Sequence, residues 1–282
     1  MAEKSRAALI TGCSTGIGRA TAKRLAANGH TVYATARNVE SIRDLEAAGC
    51  RTLALDVTDE ASMESAVAAV DEAEGAVGAL VNNAGYSQSG AVESVGLDDI
   101  RAQFETNVFG LIRLSQLVLP GMRRQGSGRI VNVGSMGGKL TFPGGGIYHA
   151  TKYAVEAISD AMRFEVAGFG VDVVLVEPGL IRTEFAKAAV GAMDSGTPDD
   201  GPYAEFNHAV AAWTVGAYTG PTARLGGGPE TVAKTIARAI TTRRPRARYP
   251  VTPSARAVMG LHALLPDRMW DAFMGRQLPR PK

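Results

Sequence analysis

Tyr148 and Lys152 stand four residues apart in the run Gly145-Gly146-Ile147-Tyr148-His149-Ala150-Thr151-Lys152, and Ser135 lies just upstream, at the end of an apolar, strand-like stretch. If the run is helical, positions i and i+4 share a face, so phenol and ammonium project into one site. An ammonium beside a phenol favours the phenolate and lowers its pKa from about 10. A tyrosine tuned in this way exchanges protons near neutral pH. A serine hydroxyl nearby can hydrogen-bond the oxygen that gains or loses the proton. Tyr-x-x-x-Lys also arises as an ordinary surface pair, so the elements around it must carry the argument.

The first of these is a turn. An apolar run ends in Thr11-Gly12-Cys13-Ser14-Thr15-Gly16-Ile17-Gly18-Arg19, placing three glycines between a strand and a helix. Such a turn lets the backbone approach a pyrophosphate, and the helix N-terminus offers free N–H groups and the positive end of a dipole. The spacing is Gly-x-x-x-Gly-x-Gly, not the Gly-x-Gly-x-x-Gly of the common dinucleotide fingerprint. The end of the second strand then bears on the cofactor. A carboxylate there binds the ribose 2′-hydroxyl of NAD, and an arginine accommodates the 2′-phosphate of NADP. Ala36 occupies the expected acidic position and Arg37 follows it. A guanidinium holds a phosphate bidentately, so NADP(H) is expected over NAD(H).

Short apolar runs alternate with helical patterns along the chain. Ala7 to Thr11, Thr31 to Ala36, Thr52 to Leu55, Ala79 to Asn82, Arg129 to Gly134 and Asp172 to Glu177 read as strands. Most lack polar alternation, as strands covered on both faces do. Gly16 to Asn28, Val39 to Ala48, Glu60 to Ala73, Leu97 to Arg124 and Gly146 to Ala167 read as helices, with Gly29 and Gly49 as stop signals. This alternation predicts an α/β fold with a doubly wound parallel sheet. Residues 1–251 form one dinucleotide-binding catalytic domain in this reading, ending in a helix from Pro229 to Thr242 and a short strand at Arg248 to Val251. Within it, residues 185–228 break the rhythm with turn residues and aromatics, as a substrate lid does. Residues 252–282 form a C-terminal extension whose apolar positions Val258, Leu261, Leu264, Leu265, Met269, Trp270, Phe273 and Met274 recur at roughly helical spacing around Pro266. Capping the substrate side or contacting another subunit suits this tail better than lying on a membrane.

The chain has 282 residues with 30 Lys+Arg against 28 Asp+Glu, a formal net charge of +2. Nothing in that balance points to nucleic acid or an acidic partner. Cys13 and Cys50 form neither a metal set nor a disulfide framework, so no metal is expected. No apolar stretch is long enough to span a bilayer and no signal-peptide h-region is present, which places the protein in the cytoplasm by default.

These pieces together resemble the short-chain dehydrogenase/reductase family. The resemblance rests on Thr11 to Gly18, Asp56-Val57, Asn82-Asn83-Ala84-Gly85, Asn107, Ser135, Tyr148 with Lys152, and Pro178-Gly179 followed by Ile181 and Thr183, in matching order over roughly residues 5 to 185. It implies a Rossmann-type fold and an oxidoreductase that moves a hydride between a nicotinamide cofactor and a carbonyl/alcohol pair. Tyr148 would be the general acid or base, Lys152 would bind the nicotinamide ribose and depress the tyrosine pKa, and Ser135 would polarise the substrate oxygen. Asn107 would support a water linking Lys152 to solvent. Gly12, Ser14, Thr15, Gly16, Ile17 and Gly18 would cradle the pyrophosphate, and Arg37, Asp56 and Val57 the adenosine end. Asn83, Ala84 and Gly85 would form the cofactor floor, and Pro178, Gly179, Ile181 and Thr183 would hold the carboxamide. Tyr33-Ala34-Thr35-Ala36-Arg37 and the tail look like the hydroxysteroid- and retinol-dehydrogenase-like branch, which implies an apolar steroid-, retinoid- or lipid-like substrate. The family often pairs subunits through the two long helices, so a homo-oligomer is expected.

Phe185, Met193, Tyr203, Phe206, Trp213 and Tyr218 would suit an apolar pocket. His149 is expected to face outward, because adjacent helical residues point in different directions. A redox role for Cys13 is conceivable at a helix N-terminus. A dinucleotide-sensing protein without chemistry is the alternative function, and epimerase or dehydratase chemistry on nucleotide sugars ranks behind both. The full set of Asn107, Ser135, Tyr148 and Lys152 speaks against a sensor, which needs no proton path.

Overall fold

The computed structural model describes residues 4–184 and 201–281. Its centre is a parallel sheet of seven strands in the order β3-β2-β1-β4-β5-β6-β7. The strands are β1 (Ala8–Ile10), β2 (Val32–Ala36), β3 (Cys50–Ala54), β4 (Ala79–Asn82), β5 (Gly128–Val133), β6 (Val171–Glu177) and β7 (Arg248–Pro250). Successive side chains point to opposite faces, and both faces are covered. Ala8 and Ile10 join a core with Leu25, Val32, Val81, Val131, Val174 and Ile236. Ala7 and Leu9 join a second core with Leu80, Leu114, Met122, Ile130 and Val171. Helices α1 (Gly16–Ala27) and, later in the chain, Pro229–Thr241 cover the first face. The second is covered by α2 (Glu60–Glu74), α4 (Gly110–Gln125) and α5 (Gly146–Val166).

Ile10 pairs with Ala34 on one side and Val81 on the other, so the strand order reverses around β1. The loops leaving the carboxyl ends of β1 and β4 diverge there and open a crevice. Two expected helices differ in detail. Val39–Ala48 is a 3₁₀ segment, begun by Asn38 accepting from the Glu40 amide and ended by Gly49 at φ 86°. The expected single helix from Leu97 to Arg124 is α3 (Leu97–Phe104), a π-helical turn over Glu105–Phe109, and α4. Such turns occur where a side chain must be aimed differently from a regular helix, and Asn107 lies inside this one. Gly110 follows it, because a Cβ there would lie 2.3 Å from the Val57 carbonyl oxygen.

The irregular region contains a helix, α6 (Ala204–Thr219), before a 3₁₀ turn at Pro221–Leu225 and α7 (Pro229–Thr241). The C-terminal extension forms α8 (Pro253–Leu264), whose first turn is capped by Thr252 accepting from the Ala255 amide, and α9 (Asp267–Met274). Pro266 separates the two. Among the described residues no helix is long and apolar enough to cross a membrane.

Candidate active site

One large cavity, about 1490 Å³, runs along the carboxyl ends of the strands. Its inner wall starts at the glycine turn. Gly12 and Gly16 take positive φ of 71° and 56°, which an L side chain rarely adopts. Thr15, the N-cap of α1, makes no side-chain capping bond, and the first turn carries no acidic residue. The leading amides of α1 therefore remain available to an anion beside the turn. Asn83 ties this turn to β4. Its side-chain amide donates to the carbonyls of Thr11 and Gly12 at 2.8 and 3.1 Å, and its backbone N–H donates to the Thr11 hydroxyl at 3.0 Å. Gly18 does not line the cavity. A Cβ on it would stand 2.3 Å from the Gly12 carbonyl oxygen, so its part is to let α1 close on the turn.

Most of the residues expected to hold a dinucleotide meet along this wall. Gly12, Ser14, Thr15, Gly16 and Ile17 line it, as do Arg37, Asp56, Val57, Asn83, Ala84 and Gly85. Pro178, Gly179, Ile181 and Thr183 close the far side. Arg37 is exposed and faces the cavity beside the buried Ala36. One Asp56 carboxylate oxygen accepts from the Thr58 amide and hydroxyl at 3.0 and 2.8 Å, which orients the group at the cavity edge. Uncapped amides and close-approach glycines fit a nicotinamide dinucleotide.

Ser135, Tyr148 and Lys152 lie side by side on this wall. Ser135 follows β5, and its Oγ accepts from the Gly137 amide at 3.0 Å, which leaves the hydroxyl proton to donate. It is hydrogen-bonded to Tyr148. Lys152 is buried, donates from Nζ to the Val133 carbonyl at 3.0 Å, and has Nζ 5.7 Å from the Tyr148 ring centre. Burial pushes the Tyr148 phenol well up; the Ser135 hydrogen bond opposes this and Tyr218 adds to it. Burial pushes the Lys152 ammonium down to about 8. The balance thus differs from the sequence expectation of a phenol lowered by its lysine, because both groups are desolvated together. Asn107 is buried behind Lys152 rather than on the cavity. Its side-chain amide donates to the Tyr86 carbonyl and the Thr151 hydroxyl at 2.9 and 3.1 Å, and its Oδ1 accepts from the Tyr86 amide at 3.1 Å.

The outer wall comes from distant parts of the chain. Val210, Trp213, Thr214, Ala217 and Tyr218 recur at helical spacing on the cavity face of α6. Val258 and Leu261 of α8 and Phe273 of α9 complete it. Hydrogen bonds dock this wall on the inner one. Asn207 Oδ1 accepts from the Ala91 amide at 3.0 Å, Tyr203 donates to Glu93 at 2.7 Å, and the Trp270 indole donates to the Thr141 carbonyl at 3.1 Å. Phe142 packs against Trp213 with ring centres 5.1 Å apart and against Trp270 at 6.0 Å. The tail therefore packs over the outer side of the cavity. Phe185 and Met193 lie outside the described residues.

His149 corrects the expectation of an outward-facing side chain: it is buried. Its Nε2 accepts from the Phe142 amide at 3.3 Å, so Nδ1 carries the proton and donates to the Gly137 carbonyl at 2.9 Å. Glycines at 137 and 145 make room, since a Cβ on either would lie 2.5 and 2.8 Å from the ring. Adjacent residues do diverge on a helix, but here both directions are covered by protein. Behind the site, Arg248 bonds Glu156 at 3.0 Å and Asp160 at 2.6 Å, and Lys139 bonds Glu156 at 2.6 Å. Glu177, just before Pro178, is pushed up to about 7 by burial and then by Glu156. Cys13 is buried, and burial pushes its thiol up to about 12, which removes the redox reading. No group of His, Cys, Asp and Glu able to hold a metal occurs among the described residues.

A nucleotide cradle at the sheet's switch point, opening onto a buried serine, tyrosine and lysine, defines a dehydrogenase-type α/β protein. The chain belongs to the short chain dehydrogenase family, which it matches over residues 6–193. The oxidoreductase YbbO of Escherichia coli (strain K12) is 35% identical over 273 residues, covering 95% of this chain and 94% of that protein. The NADPH-dependent 3-dehydrocapnine reductase of Ornithobacterium rhinotracheale is 34% identical over 286 residues, covering 98% of each. A short chain dehydrogenase/reductase from Burkholderia phymatum, solved in complex with NAD, superposes with a TM-score of 0.79 at 27% identity, over 100% of this chain and 98% of that one. The chain is thus an oxidoreductase of this family, with a Rossmann-type fold.

Proposed function

We propose that the protein is an NADP(H)-dependent oxidoreductase that interconverts an apolar carbonyl compound and its alcohol, with Tyr148 as the acid–base group. The observation that carries this reading is the placement of Ser135, Tyr148 and Lys152 between a phosphate-accepting turn and an apolar wall. Bound NADP(H) supplies or accepts the hydride. In the reducing direction the substrate oxygen sits against the Tyr148 and Ser135 hydroxyls. The Ser135 hydroxyl polarises it, and Tyr148 delivers a proton as negative charge develops there. The Lys152 ammonium favours the resulting phenolate and offers donors to ribose hydroxyls, while Asn107 holds the Tyr86 loop and Thr151 beside it. Oxidation runs the same steps backwards.

Arg37 supports the choice of NADP(H), since a guanidinium at the cavity edge can hold a 2′-phosphate and Ala36 stands where an acidic residue would bind a ribose 2′-hydroxyl. The Ornithobacterium relative, named as an NADPH-dependent reductase, agrees with it. The exposed apolar residues Phe109, Tyr153, Phe164 and Phe169 lie on or beside α4 and α5, and a homo-oligomer paired through these helices is part of the reading. Fluorescence titration with NADPH and NADH tests the cofactor. Binding of NADPH at least about tenfold tighter, about 1.4 kcal/mol, is expected; tighter NADH binding overturns the Arg37 assignment. A protein that binds NADPH and turns over no carbonyl or alcohol would be a sensor instead.

A further inference from the structure

We infer that the outer part of the cavity receives an unbranched apolar chain whose far end emerges between Leu261 and Phe273, so that the substrates are straight-chain carbonyl compounds and alcohols. This rests on the oxidoreductase reading and narrows it from apolar compounds in general.

The cavity changes character along its length. Polar reacting groups lie at the inner end, with Phe142, Val210, Trp213 and Val258 beyond them. None of the cavity-lining residues of α6, α8 and α9 is charged. Among the described residues the cavity does not close at its outer end. Leu225, Leu261 and Phe273 line it and are nevertheless 49, 42 and 38% exposed. Apolar surface continues past the rim at Leu264 and Met269, which are 82 and 55% exposed. A compact ring system held near Tyr148 leaves this rim in water, where apolar surface is unfavourable. A linear chain anchored at its carbonyl follows the same wall outward and covers the rim. The apolar lining that continues into an apolar rim is what selects a chain as the occupant.

The test uses the full-length protein and methyl ketones from pentanone to tridecanone, with decalone as a bicyclic ketone matched in carbon number to decanone. Binding is read from intrinsic fluorescence, because one of the two tryptophans, Trp213, lines the cavity. Turnover is read in parallel with NADPH and NADH. Affinity is expected to rise about two- to fourfold per added methylene, with decanone bound more tightly than decalone. Leu261→Glu combined with Phe273→Glu is expected to flatten this dependence for the longer ketones, and Leu97→Glu, an exposed residue away from the cavity, to keep it. Affinity independent of chain length, or decalone bound more tightly than decanone, overturns the inference. So does a rim double variant that changes the molecular mass in light scattering but keeps the dependence, since the rim is then a subunit contact. Ketones that bind with the expected dependence but are not reduced with either cofactor support the channel and refute the reaction assigned to it.

Discussion

The inner and outer walls of the cavity are built by different means. The inner wall is made of loops at strand ends and of the start of α5, which carries Tyr148 and Lys152. Its geometry comes from backbone: positive φ at Gly12 and Gly16, and close approach at Gly18 and Gly110. Its polar groups are held by bonds to the strands and to the loops leaving them, as Lys152 is to Val133, Asn83 to Thr11 and Ser135 to Gly137. The outer wall is made of helix faces, and its content is side-chain volume from α6, α8 and α9. Binding a dinucleotide and moving a proton demand placement to a fraction of an ångström, whereas holding an apolar body demands chiefly area. Substitutions on the inner wall should therefore act on turnover and cofactor binding, and those on the outer wall on KM.

The largest effect is expected at Tyr148. Tyr148→Phe should lower kcat by about 10³-fold or more while NADPH still binds, because it removes the group that delivers the proton. Steady-state kinetics with a titration of the same preparation checks this, and turnover within a few-fold of wild type would sink the mechanism. Gly18→Val should follow. Its Cβ would stand 2.3 Å from the Gly12 carbonyl, so urea unfolding should show a loss of about 2–3 kcal/mol together with weaker NADPH binding. Unchanged stability would mean that the turn yields and is not rigid. Arg37→Ala should cut the preference for NADPH over NADH by about tenfold or more, and a variant that kept its preference would move the phosphate elsewhere. Trp213→Ala should raise KM about tenfold for an apolar substrate and change kcat much less. A kcat effect as large as the KM effect would erase the division between the walls.

A further effect concerns stability and pH. The Lys152 pKa falls from 10.5 to about 8 on burial, so between those values the unfolded chain binds more protons than the folded one. Stability from this group rises with pH across that window, and its destabilisation is fully present below it. Lys152→Met should remove that slope, read as the difference between variant and wild type in unfolding midpoints from about pH 8 to pH 10. Glu177 has the opposite sign. Its carboxyl rises from 4.5 to about 7, so its cost appears as pH climbs from 4.5 to 7, and Glu177→Gln should be the more stable protein above that range.

Much of the inner wall was legible in the sequence because each piece is local. The glycine turn, the Asn82 to Gly85 stretch and the Tyr148–Lys152 spacing each require only their own strand–turn or helix geometry. His149 was misread because its neighbours come from the Met136–Gly138 and Phe142 loops, which no helical spacing reveals. The π-helical turn at Asn107 escaped for a similar reason, since nothing in the run Glu105 to Phe109 departs from a helical pattern. The partners of Arg248 were equally hidden, since only the pairing of β7 with β6 brings it to Glu156 and Asp160.

What the sequence determined by itself was the parallel α/β order, the nucleotide turn and the helix that presents tyrosine and lysine on one face. Hydrophobic period, glycine placement and i,i+4 spacing are properties of neighbouring residues, and they act before the chain is compact. Tertiary structure decided the protonation balance and the outer wall. The desolvation that moves Tyr148 and Lys152 is a sum over everything packed around them. The faces of α6, α8 and α9 meet Phe142 only after the sheet has brought distant parts of the chain to one edge.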